Sequence, residues 1–237
     1  MDGTTALVSG GKDSIYAAYL ADCQGWPVHE LLVMQPEDPD SWMFHTPNLD
    51  LVRWQAEAWG KAVRTYPVPA GNAEAETLAL EEAMRRGGPG PISVGAIASS
   101  FQWSRVLRAA HAVGRRVYAP LWRVEPQRVV GEEIAAGLDI RLVQVAAEPL
   151  EADWLGERLD ADRARRLAAL SRPPTSVHLA GEGGEYETLV VDAPFWRSRL
   201  SIDRAKIERR GAWARWTVEA THLVPHATSI GRTQMHA

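Results

Sequence analysis

Cysteine is all but missing: Cys23 stands alone in 237 residues. A single thiol excludes an internal disulfide framework, a Cys-x-x-Cys redox pair and a cysteine-built zinc cluster. Long apolar runs are missing too, since nothing approaches the roughly 18 residues that a membrane-spanning helix requires. Met1-Asp2-Gly3-Thr4-Thr5 has no basic residue, and Ala6-Leu7-Val8 is too short for the apolar core of a secretion signal. The expectation is a cytoplasmic protein with no membrane partner. Neither sign of charge prevails: 26 Lys and Arg against 30 Asp and Glu leave a formal charge of -4. That balance speaks against stable nucleic-acid binding. The seven histidines show neither His-x-His nor His-Glu-x-x-His spacing, so no zinc site is expected. Lysine is scarce. Only Lys12, Lys61 and Lys206 occur, every other basic residue being arginine, and Lys12 falls inside the strongest motif of the chain.

What is present is globular in kind, with 46% hydrophobic and 24% charged residues and enough length for one large domain or two small ones. The first half alternates strand-like and helical segments. Strands are expected at 4–9, 28–34, 62–68, 92–98 and 116–121. Helices are expected between them: one after the first glycine pair, then 48–59 opened by an Asn48 cap, 74–86 and 99–113. Such alternation implies a parallel sheet with helices on both faces and ligands at the carboxyl ends of its strands. Past residue 122 the rhythm changes to α+β. A helix at 126–136, a strand at 140–146 and a helix at 160–171 precede strands at 176–180, 188–192, 200–207 and 212–221. Arg210-Gly211 marks the last turn. We expect a nucleotide-binding domain at 1–122, a substrate-recognition domain at 123–224 and a disordered tail at 225–237. Cys23, late in the first helix, is expected to turn into packing.

Ser9-Gly10-Gly11-Lys12-Asp13-Ser14 follows the first strand and opens the first helix. Glycines let several backbone N–H groups converge, and the helix N-terminus adds partial positive charge. Ser9 and Ser14 can donate to phosphate oxygens, Lys12 supplies a point charge, and Asp13 could hold Mg²⁺ that bridges phosphates. The spacing is neither a Walker A loop nor a dinucleotide fingerprint. It resembles the pyrophosphate loop of enzymes that split ATP between its α and β phosphates. A plain helix-capping glycine turn is the bland alternative. A second dense cluster is Gly181-Glu182-Gly183-Gly184-Glu185-Tyr186-Glu187-Thr188, whose crowded carboxylates call for a cation, a metal or hydrogen-bond donors. Here the bland alternative is a solvated hairpin loop.

The loop, the Glu-Gly-Gly-Glu-Tyr-Glu-Thr run, Met43-Phe44-His45, Gly95-Ala96-Ile97 with Ser100-Phe101-Gln102, Pro120-Leu121-Trp122 and Leu155-Gly156 together resemble the diphthine–ammonia ligase family. The likeness spans residues 4–208, with Phe101 standing where tyrosine is expected. The resemblance implies an adenine nucleotide alpha hydrolase-like (HUP-type) five-stranded sheet. It also implies an AMP-forming ligase that uses ATP, Mg²⁺ and ammonia to amidate diphthine on elongation factor 2. On it, Ser9, Gly10, Gly11, Lys12, Asp13 and Ser14 would bind phosphates, and Gly95, Ala96 and Ile97 would border the nucleotide. Lys12, Asp13, His45 and Glu185 would serve catalysis. Trp42, Phe44, Ser100, Gln102, Glu182, Gly183, Gly184, Glu185, Tyr186, Glu187 and Thr188 would meet the substrate. Diphthine carries a quaternary ammonium, for which Tyr186 with Glu182, Glu185 or Glu187 is an expected cage, walled by Trp42, Phe44 or Trp103. Between residues 197 and 215 seven basic residues face two acids, either a docking face for the protein partner or a solvated hairpin. A homodimer remains open. So do three alternatives: a bacterial relative acting on a small molecule in cobalamin salvage, a tRNA-modifying adenylating enzyme, and a non-catalytic ATP-binding module.

Overall fold

The computed structural model describes residues 3–38, 41–44, 46–175, 177–211 and 213–227. Its first half runs β1 (Thr4–Leu7), α1 (Lys12–Cys23), β2 (Val28–Pro36), a single 3-10 turn (Leu49–Leu51), α2 (Val52–Trp59), β3 (Ala62–Val68) and α3 (Ala73–Arg85). It continues through β4 (Ile92–Val94), α4 (Ser100–Ala112) and β5 (Val117–Tyr118). These strands form one parallel sheet in the order β3-β2-β1-β4-β5. Central strands must bury both faces, and β2 does so by alternation. Leu31 and Val33 point to the core shared with α1 and α2, while Leu32 and Met34 point to the core shared with α3 and α4.

The second half runs α5 (Pro126–Ala135), β6 (Asp139–Val145), a 3-10 turn (Ala152–Trp154), α6 (Ala161–Leu170), β7 (Tyr186–Asp192), β8 (Ser198–Arg210) and β9 (Trp213–Pro225). It makes an antiparallel sheet in the order β7-β6-β9-β8. The α1–α2 face of the first sheet and the inner face of the second share one apolar core, which runs from Ile15 and Val52 to Ile140, Leu189 and Val190. Burial on that scale, at roughly 25 cal/mol per Å², is what joins the halves.

Several expectations need correction. Asn48 stands at the N-cap of the 3-10 turn that leads into α2, but at φ 55° its side chain makes no capping bond. Its amide instead reaches β9, donating to Trp216 O at 2.9 Å and accepting from Val218 N at 3.0 Å. Residues 177–180 form no strand: 179–180 turn, and Val177 N donates back to Leu170 O at 3.0 Å. β4 and β5 stop early, β4 where Gly95 and Ala96 leave the sheet to line the site. β9 runs past residue 224, and the His226 ring lies 2.8 Å from Asp192 Oδ1. The expected tail beyond 227 lies outside the described residues, as does His45. Cys23 is exposed rather than packed.

Candidate active site

β1 and β4 are neighbours whose crossovers leave in opposite directions, β1 toward β2 and β4 toward β5. Their carboxyl ends therefore open a crevice at the switch point of the sheet, the place where such folds bind ligands. The glycine loop fills one side of it. Gly10 has φ +82°, and a Cβ there would meet Gln55 Oε1 at 2.9 Å. Gln55 Nε2, buried in α2, donates to Gly10 O at 2.9 Å and to Val190 O at 2.7 Å. Val190 N donates to Gly10 O at 3.0 Å, and Lys12 N donates to Thr188 Oγ1 at 3.2 Å. Ser14 Oγ donates to Gly11 O at 3.1 Å and accepts from Ser9 N at 3.3 Å. Gly11 caps α1 with no side-chain acceptor, which leaves the helix end facing the crevice. Gly95 lets β4 approach: a Cβ there would lie 2.5 Å from Asp13 C and Ser14 N.

The loop opens on a cavity of about 130 Å³. Ser9, Asp13, Ser14 and Glu182 line its polar side; Met34, Met43, Phe44, Val94, Gly95, Ala96 and Gln102 are among the rest. The 41–44 segment is fastened by Glu76 of α3. That carboxylate accepts from Ser41 Oγ and Trp42 N at 3.0 Å each and from Met43 N at 2.9 Å. Gln102 Nε2 donates to Met43 O at 3.2 Å. Ile97 does not face the cavity. It is buried in the core, and its carbonyl accepts from Arg123 N at 2.7 Å. Trp42 is 63% exposed, Ser100 is exposed, and Trp103 stacks on Trp122 at 4.6 Å.

The glycine-rich run closes the other side. Glu182 Oε2 accepts from Ala98 N at 2.8 Å and Ser99 N at 3.0 Å, which seats its charge at the start of α4. Glu182 also borders a groove of about 690 Å³ with Glu125, Arg172, His178, Gly183 and Glu185. A smaller pocket of about 50 Å³ lies between Ser9, Asp13, Gly181, Glu182, Glu187 and Thr188. Gly184 takes φ +79° in the exposed turn.

Three expected roles change. Both Glu185 oxygens are taken by the backbone, from His178 N at 2.9 Å and Gly183 N at 3.0 Å, so this carboxylate braces the loop. Tyr186 is 2% exposed and donates its hydroxyl to Leu179 O at 2.6 Å, so its ring packs in the core rather than standing open as a cage wall. Burial pushes its phenol well above the ordinary value. Lys12, 1% exposed, lies buried beneath the loop. As the first residue of α1 it leans back toward the helix start. Its Nζ lies 2.5 Å from Asp13 Oδ1 and 3.7 Å from Glu133 Oε2 of α5. Burial opposes the ammonium, but Asp13 and Glu133 outweigh it and hold the pKa above the usual lysine value. Glu133, 0% exposed, has its carboxyl driven well above the carboxylate range by burial.

Sequence reasoning missed Gln55, Glu76 and Glu133. One signal marks all three: each is a polar residue in an otherwise apolar helical stripe, beside Val52 and Ala56, Leu80 and Ala83, and Val129 and Val130. Among the described residues no cluster of His, Cys, Asp and Glu is set to hold a metal by itself. A lone carboxylate such as Asp13 suits Mg²⁺, which keeps most of its water and phosphate ligands.

Both halves of the chain match families of known proteins. The diphthamide synthase N-terminal domain matches residues 2–117 and the diphthamide synthase C-terminal domain residues 125–224. The diphthine–ammonia ligase of Danio rerio is 33% identical over 222 residues, covering 83% of this chain and 85% of that protein. That of Bos taurus is 30% identical over 229 residues, covering 87% and 85%. A solved structure from Methanocaldococcus jannaschii, described as a predicted subunit of tRNA methyltransferase, aligns with a TM-score of 0.45 and 14% identity. That alignment covers 82% of this chain and 98% of the other. With both halves matched in order and this identity running through most of the chain, the protein belongs to the diphthamide synthase family, whose matched relatives are diphthine–ammonia ligases.

Proposed function

We propose that the protein is an AMP-forming ligase that converts the carboxylate of diphthine on elongation factor 2 into an amide, using ATP and ammonia. The observation that carries this reading is the glycine loop at the switch point, fastened by Gln55 and β7 and opening on a cavity with one polar and one apolar side. A carboxylate does not react usefully with ammonia because oxide is a poor leaving group. Attack of a carboxylate oxygen on the α phosphorus breaks the bond to the β-phosphate bridge and expels pyrophosphate. Ammonia then attacks the acyl carbon, AMP leaves, and nitrogen gives up a proton.

Ser9, Gly10, Gly11 and Ser14 would hold the phosphates through backbone N–H and hydroxyl donors, with the α1 N-terminus behind them. Asp13 would meet Mg²⁺ carried by the nucleotide, which supplies charge neutralisation at the phosphates. Gly95 and Ala96 would border the base and ribose. We assign residues 1–122 to the nucleotide and 123–224 to the acceptor. The acceptor would enter where the groove meets the cavity at Glu182, whose carboxylate borders both and would face its ammonium group. Enclosure there would keep water from the acyl-adenylate.

The test is purified protein with ATP, ammonium and diphthine-bearing elongation factor 2, scored for AMP and for the mass change of an acid becoming an amide. AMP release that needs both ammonium and the factor is expected. ATP turnover indifferent to the factor would reject the assignment. Asp13→Asn is expected to cut turnover by roughly a hundredfold or more, as for loss of electrostatic stabilisation at a reacting centre.

A further inference from the structure

The apolar wall of the cavity is held by a buried carboxylate that no catalytic step above uses. Glu76 is 3% exposed at the start of α3. A carboxylate so placed is costly unless donors surround it, and charge-assisted bonds are the strong ones. Among the described residues its donors come from one short segment: the Ser41 hydroxyl and the N–H groups of Trp42 and Met43. Ser41 Oγ in turn accepts from Phe44 N at 3.0 Å. Met43 is gripped from a second side, where its carbonyl accepts from Gln102 and its sulfur from Thr77 Oγ1 at 3.6 Å. Both backbone groups of Met43 are therefore committed, and its side chain forms part of the cavity wall and of the α3–α4 core.

Part of the apolar lining comes from a different segment than the loop's polar groups. Ser9, Asp13 and Ser14 come from the loop after β1, whereas Met43 and Phe44 come from the segment that Glu76 holds. We propose that Glu76 is a positioning residue that fixes Met43 and Phe44 as the wall against which the purine and ribose of the nucleotide pack. It takes no part in holding the phosphates. This deepens the nucleotide reading and rests on it.

Glu76→Gln tests it, because the amide keeps the size but turns one accepting oxygen into a donor that repels an N–H. Binding of ATP and of inorganic tripolyphosphate, each with Mg²⁺, is measured by calorimetry on the full chain. Glu76→Gln is expected to weaken ATP about tenfold while tripolyphosphate stays within about twofold. Ser41→Ala, a milder loosening of the same segment, is expected to weaken ATP about threefold and spare tripolyphosphate, and it serves if Glu76→Gln fails to fold. Equal losses on both ligands would make Glu76 a general stabiliser and overturn the proposal. So would unchanged ATP binding in a folded variant. Wild-type protein that bound tripolyphosphate but not ATP would refute the wall, whereas binding of neither would refute the nucleotide reading itself.

Discussion

Lys12 faces Glu133 and Asp13 inside the protein, and removing its charge leaves two carboxyls with no cation between them. Breaking a buried pair from one side typically costs about 3–5 kcal/mol. Lys12→Met is expected at the lower end, about 3 kcal/mol by urea unfolding, because Glu133 can take up a proton. Its carboxyl is raised in the folded state, so the folded chain holds a proton that the unfolded chain releases. Stability contributed this way is present below the ordinary carboxylate pKa and is lost as pH rises. The penalty in Lys12→Met should accordingly be larger at about pH 8 than at about pH 5. Lys12→Met/Glu133→Leu should recover most of the loss, since an apolar pair of similar volume replaces the charges. Scarcity of lysine was enough to single out Lys12. Its partner was not legible, because Glu133 lies on α5, far along the chain, and only packing of the two halves brings it near.

Elements explain why the loop keeps its shape. α2 presents Gln55 toward the core, and that amide ties the loop to β7. Gln55→Leu would leave Gly10 O without that donor and strip a bond from Val190 O, costing about 1–3 kcal/mol. Thermal unfolding should show this, together with weaker ATP binding. Gly95→Ala is expected to be worse, because its methyl would enter the first turn of α1 and neither backbone can yield. A loss of about 3 kcal/mol and of nucleotide binding is expected. The alternating elements of the first half were legible from periodicity, and β3 occupies the very span anticipated. Strand ends were not. β4 stops at Val94 because Gly95 must meet α1, and residues 177–180 form no strand because Tyr186 and Leu170 claim their backbone.

At the scale of the molecule, two sheets stand on one apolar core. Far-ultraviolet circular dichroism and tryptophan fluorescence should therefore report a single coincident unfolding transition. Two separated transitions would mean that the halves fold independently. No described helix is long and apolar enough to cross a membrane. The doubly wound sheet and the glycine loop after β1 could be read from the chain alone, because hydrophobic period and glycine spacing are local properties, and the motifs along it carried the resemblance to the family. What the charged groups do follows from packing between distant parts of the chain. Lys12 turns inward to Glu133, Glu185 braces its own loop, Tyr186 is sealed in the core and Glu76 holds the cavity wall. A charge acts through whichever groups share its low-dielectric surroundings, and those neighbours are chosen by packing between distant segments.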